Sequence, residues 1–305
     1  MNQTDNYCPY DITSDSSEFG LVSEQLDCAF GKLFVVRSER TTNVVTLFLH
    51  GVGGTWASWT PLLRAAKATS TELGDIIFVD VPGFGQSENK LGHLQAAVLG
   101  VELLRVIKTL GWDEVKLVGH SMGGFLALDI AAKQPERIKS VAVISGTYLS
   151  IVESVQHPFK TLVRQPGAAI SYSSMVLLSK LGPLAGVLLR HSSNTRIYLK
   201  VLTKTFAHPE LLKQSVLDSI AYNIRPKIFA LAAQNGKNYR SVQEWSKIRV
   251  PFKALFGARD RLVPVTDMKR LEANLNNVQI SCLADTGHFA HVERPIETLK
   301  WLYGE

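Results

Sequence analysis

"KLVGHSMGGFLALDIA", residues 116–131, decides the fold. It runs from an apolar stretch through a turn holding one serine and three glycines into a segment of helical composition. Gly119-His120-Ser121-Met122-Gly123 fits G-x-S-x-G, and its position directly after a predicted strand and before a predicted helix gives the match its weight. A serine forced into so sharp a turn takes unfavourable backbone angles. Small residues two positions to either side let helix and strand approach without collision. The same turn lifts the Ser121 hydroxyl clear of the sheet and puts the N–H of Met122 at a helix N-terminus, where it can stabilise an oxyanion. A plain small-residue joint would explain the glycines equally well, but it requires no partners elsewhere in the chain.

Outward from this turn, short β-branched runs alternate with helix-length segments from residue 44 to 146, the pattern of a mainly parallel sheet with covering helices. "VVTLFLH" (44–50), "DIIFVDV" (75–81), "EVKLVGH" (114–120) and "IKSVAVISG" (138–146) read as strands buried on both faces. "LDCAFGKLFVVRSE" (26–39) reads as an antiparallel edge hairpin with a Gly-Lys turn. After residue 250, "PFKALFG" (251–257) and "VQISCLAD" (278–285) resume the strands, and "IETLKWLYG" (296–304) closes the chain as a helix. Residues 148–246 carry apolar positions at helical spacing, as in "LLKQSVLDSIAYNI" (211–224), and predict a helical cap inserted into an α/β core of residues 21–147 and 247–305. The polar residues 1–20 are expected to form a loose tail, and nothing in them has the pattern of a signal peptide.

A serine hydroxyl needs a base, and the base needs an acid to hold its tautomer. Asp260 falls in the loop after one late strand, and His288, preceded by Gly287, in the loop after the next; both emerge at the carboxyl edge of the sheet with Ser121. His291, three residues on, is the rival base. Asp80 ends a strand but precedes the serine, which counts against it as the acid, and His50 and His120, flanking the site, are expected to hydrogen-bond nearby loops. No acid follows the strand ending at Gly146 until Glu153, so an acid placed after that strand has no good candidate.

The order Ser, Asp, His, taken with four further stretches, resembles the α/β-hydrolase fold superfamily over about residues 25–305. "HGVGG" (50–54) resembles its His-Gly oxyanion loop, which implies the N–H of Val52 as the second donor beside Met122. "VDVPGFGQS" (79–87) resembles its Asp-x-Pro-Gly-x-Gly-x-Ser loop, "GHFAHVERP" (287–295) the surroundings of its histidine, and the insertion falls where the family carries its cap. Phe84 and Phe289 are the candidate pocket residues.

Composition narrows the partners. The formal net charge is +6, yet no Lys/Arg run or zinc-finger spacing supports nucleic-acid binding. Residues 148–246, with Lys247 at the border, hold 13 Lys and Arg against four acids. Most such charge is a solvated helix surface; the sharper reading is a cap that draws carboxylate-bearing substrates. Cys8, Cys28 and Cys282 are too scattered for a disulfide framework or a metal site and favour a reducing cytoplasm. In "AAISYSSMVLLSKLGPLAGVLL" (168–189) Lys180 and Gly182-Pro183 interrupt the apolar run, so two short helices are expected rather than a membrane span, with membrane-surface contact the lesser alternative. "GVGGTW" (51–56) puts Trp56 where a dinucleotide loop needs glycine, so no cofactor is expected and no metal site is found.

The resemblance implies acyl transfer through Ser121. Haloalkane dehalogenases and epoxide hydrolases of the superfamily use aspartate at the elbow, so serine argues against both. Carboxylic-ester hydrolysis is the first reading. Carbon–carbon hydrolases of ring-cleavage products are the second, although their elbow more often has Asn before the serine and Trp after the histidine. Lactonases, a menaquinone-pathway-like enzyme and a non-catalytic small-molecule receptor stay open on the same fold.

Overall fold

The computed structural model describes residues 6–157, 180, 205–275 and 277–304. Eight strands form one sheet: β1 (Val22–Cys28), β2 (Gly31–Arg37), β3 (Val44–Leu49), β4 (Asp75–Val79), β5 (Glu114–His120), β6 (Ile138–Ile144), β7 (Phe252–Gly257) and β8 (Val278–Leu283). Their spatial order is β1-β2-β4-β3-β5-β6-β7-β8, with β1 and β2 antiparallel and every pairing from β4 to β8 parallel. β3 and β4 are apolar almost throughout because both faces are covered, and β5 is buried from Leu117 to His120.

Alternate residues feed two layers. Val45, Leu47, Leu49, Ile77 and Val79 enter one core with α2 (Ala96–Thr109) and α3 (Met122–Lys133). Phe48, Ile76 and Phe78 enter the other with α1 (Thr60–Thr69) and the last helix. α3 is the central helix: only its last residue, Lys133, escapes burial. Leaving β3, the chain goes to β4 on one side and then returns to β5 on the other, so the loops after β3 and β5 flank the crevice where open α/β sheets bind ligands.

The remaining α-helices with described bounds are α4 (Leu149–Gln156), α5 (Gln214–Asn223), α6 (Pro226–Ala233), α7 (Ser241–Trp245), α8 (Thr266–Asn274), α9 (Ala290–Glu293) and α10 (Pro295–Tyr303). The described part of residues 148–246 is helix, turn and coil, with no strand among the described residues. The expected helix pair at 168–189 lies outside the described residues apart from Lys180. No described helix is long and apolar enough to cross a membrane.

Two expectations are corrected. The edge hairpin starts at Val22 rather than Leu26, and Cys28 pairs with Gly31, so the turn is Ala29-Phe30 instead of Gly31-Lys32. Phe30, fully buried, anchors that turn in the core. The N-terminal segment is not loose over residues 6–20: Tyr7 and Cys8 are buried in a cluster with Phe206, Val216, Leu217 and Val292. The Ile12 N–H donates to Ser215 Oγ, which itself donates to Asp11.

Candidate active site

Ser121 stands between β5 and α3 at φ 52° and ψ −117°, a region that costs a non-glycine residue about 1–3 kcal/mol. The surroundings hold it there. Its N–H donates to Ile144 O at 3.1 Å, and its carbonyl accepts from the N–H groups of Gly124, Phe125 and Thr147. A Cβ at residue 119 would overlap the Gly123 carbonyl, and one at 123 would overlap Leu49 O. The two glycines are therefore what lets α3 close onto β3 and β5.

Asp260 and His288 meet as the chain order suggests. His288 Nδ1 lies 2.8 Å from Asp260 Oδ2, with both side chains almost fully buried. Asp260 Oδ1 accepts from the N–H groups of Leu262 and Val263 at 2.8 and 3.0 Å, so the carboxylate is held at both oxygens. A carboxylate at Nδ1 requires the proton there and leaves Nε2 as the basic nitrogen. Among the described residues no hydrogen bond joins the Ser121 hydroxyl to His288; the elbow is tied to that loop through His120, whose Nε2 donates to His288 O at 3.0 Å. His291 has no carboxylate partner. Both of its nitrogens are buried without a hydrogen bond against Trp59, and burial, with the neighbouring His288, pushes its imidazole down to about 3.

The other candidates act as braces. Asp80 accepts the Trp56 N–H on one oxygen and the Gln86 N–H on the other, joining the loops after β3 and β4. His50 accepts the Val81 N–H at Nε2, 3.0 Å, which leaves Nδ1–H to donate to Gly51 O at 2.8 Å. Burial lowers the His50 imidazole and keeps it neutral. Burial first, then the neighbouring His291 and His288, holds His120 well below the ordinary imidazole range.

The "HGVGG" loop abuts the elbow: a Cβ at residue 51 would lie 2.7 Å from His120 Nδ1 and 2.9 Å from Ser121 Cβ. The N–H groups of Val52 and Met122 donate to no protein acceptor among the described residues. The described insertion lies over the same loops, with Ile224 Cγ1 3.2 Å from a Cβ position at Gly53 and Ile228 Cδ1 2.9 Å from one at Gly83. Phe289 stacks on Phe206 at 4.7 Å, beside His120 and His288. Phe84 is a correction: it is fully buried, edge-on to His50 at 5.5 Å, and presents no surface to a pocket. A cavity of about 820 Å³ opens elsewhere, between α4, α7 and α8, lined by residues such as Leu149, Tyr239 and Arg270 and by none of Ser121, Asp260 or His288.

Sequence reasoning missed two carboxylates beside His288. Glu293, fully buried, accepts the N–H groups of Gly287 and Phe289. Asp285 gathers His208 from the insertion, Arg259 from the loop of Asp260, and Arg294 at 2.9, 2.8 and 3.2 Å. Glu293 lies inside the quoted "GHFAHVERP", but a glutamate next to an arginine reads as an exposed charge until its donors are known.

The chain is similar to known proteins in sequence and in fold. The chain is 26% identical over 265 residues to a 2-hydroxy-6-oxononadienedioate/2-hydroxy-6-oxononatrienedioate hydrolase of Burkholderia vietnamiensis, covering 83% of this chain and 85% of the relative. It is 25% identical over 259 residues to the monoacylglycerol lipase ABHD6 of Mus musculus, covering 83% and 73%. Among solved structures, the carboxylesterase CesB (YbfK) of Bacillus subtilis superposes with a TM-score of 0.67 at 16% identity, over 94% of this chain and 93% of that one. The family model of the alpha/beta hydrolase fold matches residues 45–295, a span that includes the serine elbow, the Asp260–His288 pair and the insertion between them. The chain belongs to the alpha/beta hydrolase fold family.

Proposed function

We propose that this hydrolase cleaves carboxylic esters through an acyl-enzyme on Ser121, with residues 148–246 as the cap over the site. The observation that carries the reading is the buried 2.8 Å bond from His288 Nδ1 to Asp260 at the carboxyl edge that also holds Ser121 at φ 52°. Nε2 of His288 takes the Ser121 proton as Oγ attacks the acyl carbonyl, and the imidazolium that forms is stabilised by Asp260. The Val52 and Met122 N–H groups receive the oxyanion. His288 then protonates the leaving alcohol, activates water against the acyl-enzyme and returns the proton to Ser121. In ligand-free sites the nucleophile–base hydrogen bond is often long and tightens with substrate bound, so its absence here is compatible with this route. Ile224 against the Gly53 loop and Ile228 against the Gly83 loop supply apolar surface beside the site, which suits an acyl chain.

Carbon–carbon hydrolysis is the second reading, favoured by the Burkholderia relative, whose dioate substrate carries two carboxylates, and by the basic insertion. His120 before the serine and Phe289 after the histidine weigh for the ester. The test is an acyl-chain series of p-nitrophenyl esters run beside a ring-cleavage diketone, with fluorophosphonate labelling of the wild-type protein and Ser121→Ala. Ester turnover and labelling that both vanish in Ser121→Ala are expected. Wild-type-like activity in that variant ends the assignment, and faster turnover of the diketone selects the second reading.

A further inference from the structure

The N-terminal segment reaches the loop that carries His288. Tyr7, 6% exposed, donates its phenolic proton to Glu293 Oε2 at 2.8 Å, and the Tyr7 phenolic oxygen itself accepts the His208 N–H at 3.0 Å. Glu293 Oε2 also accepts from Gly287 N at 2.8 Å and Ala207 N at 3.0 Å; Oε1 accepts from Phe289 N at 2.9 Å. The Cys8 N–H donates to the Glu293 carbonyl at 2.8 Å. The intervening His288 N–H donates to Thr205 O at 2.6 Å. Three consecutive amides, 287 to 289, are thus fixed by one buried carboxylate and one insertion carbonyl, and the carboxylate is in turn fixed by residue 7.

Four donors converge on the acceptor oxygens of Glu293. Burial pushes its carboxyl up, and the bonds from Ala207, Gly287, Tyr7 and Phe289 oppose that rise. Tyr7 is further seated by the Arg294 guanidinium, 5.4 Å from its ring centroid, and by the His208 ring at 5.1 Å. This arrangement lies on the backbone side of His288, away from the Asp260 bond, so Asp260 sets the tautomer while Glu293 sets where the imidazole stands.

We propose that Tyr7 and Glu293 are positioning residues for His288, holding its backbone so that Nε2 meets the Ser121 hydroxyl. This rests on the reading of His288 as the general base. Neither side chain needs to touch substrate, so loss of either lowers kcat and leaves KM in place. A misplacement of about 1 Å at a reacting pair costs about 10²-fold in rate, so a smaller shift is expected to cost less than that.

The experiment compares the full-length wild type with Tyr7→Phe, Glu293→Gln and Ser121→Ala in kcat and KM for p-nitrophenyl butyrate, fluorophosphonate labelling rate and melting midpoint. Tyr7→Phe keeps the ring and its packing and removes only the hydroxyl. A fall in kcat of roughly five- to tenfold is expected, with KM within about twofold and labelling slowed in step. Glu293→Gln must turn an amide N–H₂ toward one of the N–H donors, so a larger fall is expected; if it fails to fold, Tyr7→Phe alone decides. A Tyr7→Phe protein with wild-type kcat and labelling, whatever its melting midpoint, overturns the inference and leaves the hydrolase reading standing. A change confined to KM also overturns it. A wild type that is neither labelled nor active removes the hydrolase reading and the inference with it.

Discussion

At the scale of single residues the site is held by positions where no atom can be added. Residue 123 must pass under Leu49 O, which belongs to the backbone of β3 and cannot move aside without breaking the sheet. Gly123→Ala is therefore expected to cost on the order of 3 kcal/mol or more, read as a lowered urea midpoint together with loss of activity. His291 gives a second, pH-dependent test. Its imidazole falls from the ordinary 6.5 to about 3 in the folded chain because it is buried, with the nearby His288 adding to the effect. The unfolded chain takes the proton first, so stability is full above about pH 6.5 and declines as pH falls toward 3. His291→Phe fills the same slot beside Trp59 and loses no hydrogen bond, so its melting midpoint should fall less steeply over that window. His120 is depressed in the same direction and keeps the slope from vanishing. A variant curve parallel to the wild type would show that His291 is not the group being titrated.

At the scale of elements, Asp75 at the start of β4 ties three segments together. Its carboxylate accepts from the backbone and hydroxyl groups of Thr41 and Thr42 and from Trp112 Nε1 at 2.8 Å. Burial acts to raise its carboxyl, but the hydrogen bonds from Thr41, Trp112 and Thr42 outweigh it and hold the group well below the ordinary range. The folded value lies below the unfolded one. The contribution is thus present above about pH 4 and is lost as pH falls below it. Asp75→Asn should cost on the order of 2 kcal/mol near neutral pH, with the gap in melting midpoint to wild type closing in acid. An acid-independent gap would assign the loss to packing. The inner strands were legible because buried parallel strands are almost continuously apolar, and β3, β4 and β7 start and stop within about two residues of their apolar runs. Asp260 and His288 were legible because strand ends fix where loops emerge. The hairpin turn was not, since Gly31-Lys32 looks like a turn locally whereas the burial of Phe30 moves the turn back to Ala29-Phe30. Tyr7 and Glu293 were hidden for a related reason: they stand 286 residues apart in sequence, and no local pattern records such a pairing.

At the scale of the whole molecule, charge is divided between the parts. Residues 148–247 carry an excess of nine positive charges while the whole chain carries +6, so the remainder is slightly acidic. Described residues of that insertion lie over the Gly53 and Gly83 loops, beside the serine elbow. A positive cover over a site raises the local concentration of anionic substrates, and salt removes the effect: the Debye length shrinks from about 30 Å at 0.01 M to about 3 Å at 1 M. For an ester bearing a free carboxylate, such as mono-p-nitrophenyl succinate, kcat/KM should therefore fall several-fold between low and high salt. For p-nitrophenyl butyrate, which is neutral and similar in length, it should change by less than about twofold. The contrast between the two esters is the informative quantity, because salt effects on the enzyme's own stability or on the chemical step act on both. If the two curves run parallel, the basic residues of the insertion do not steer substrate and form only a solvated face.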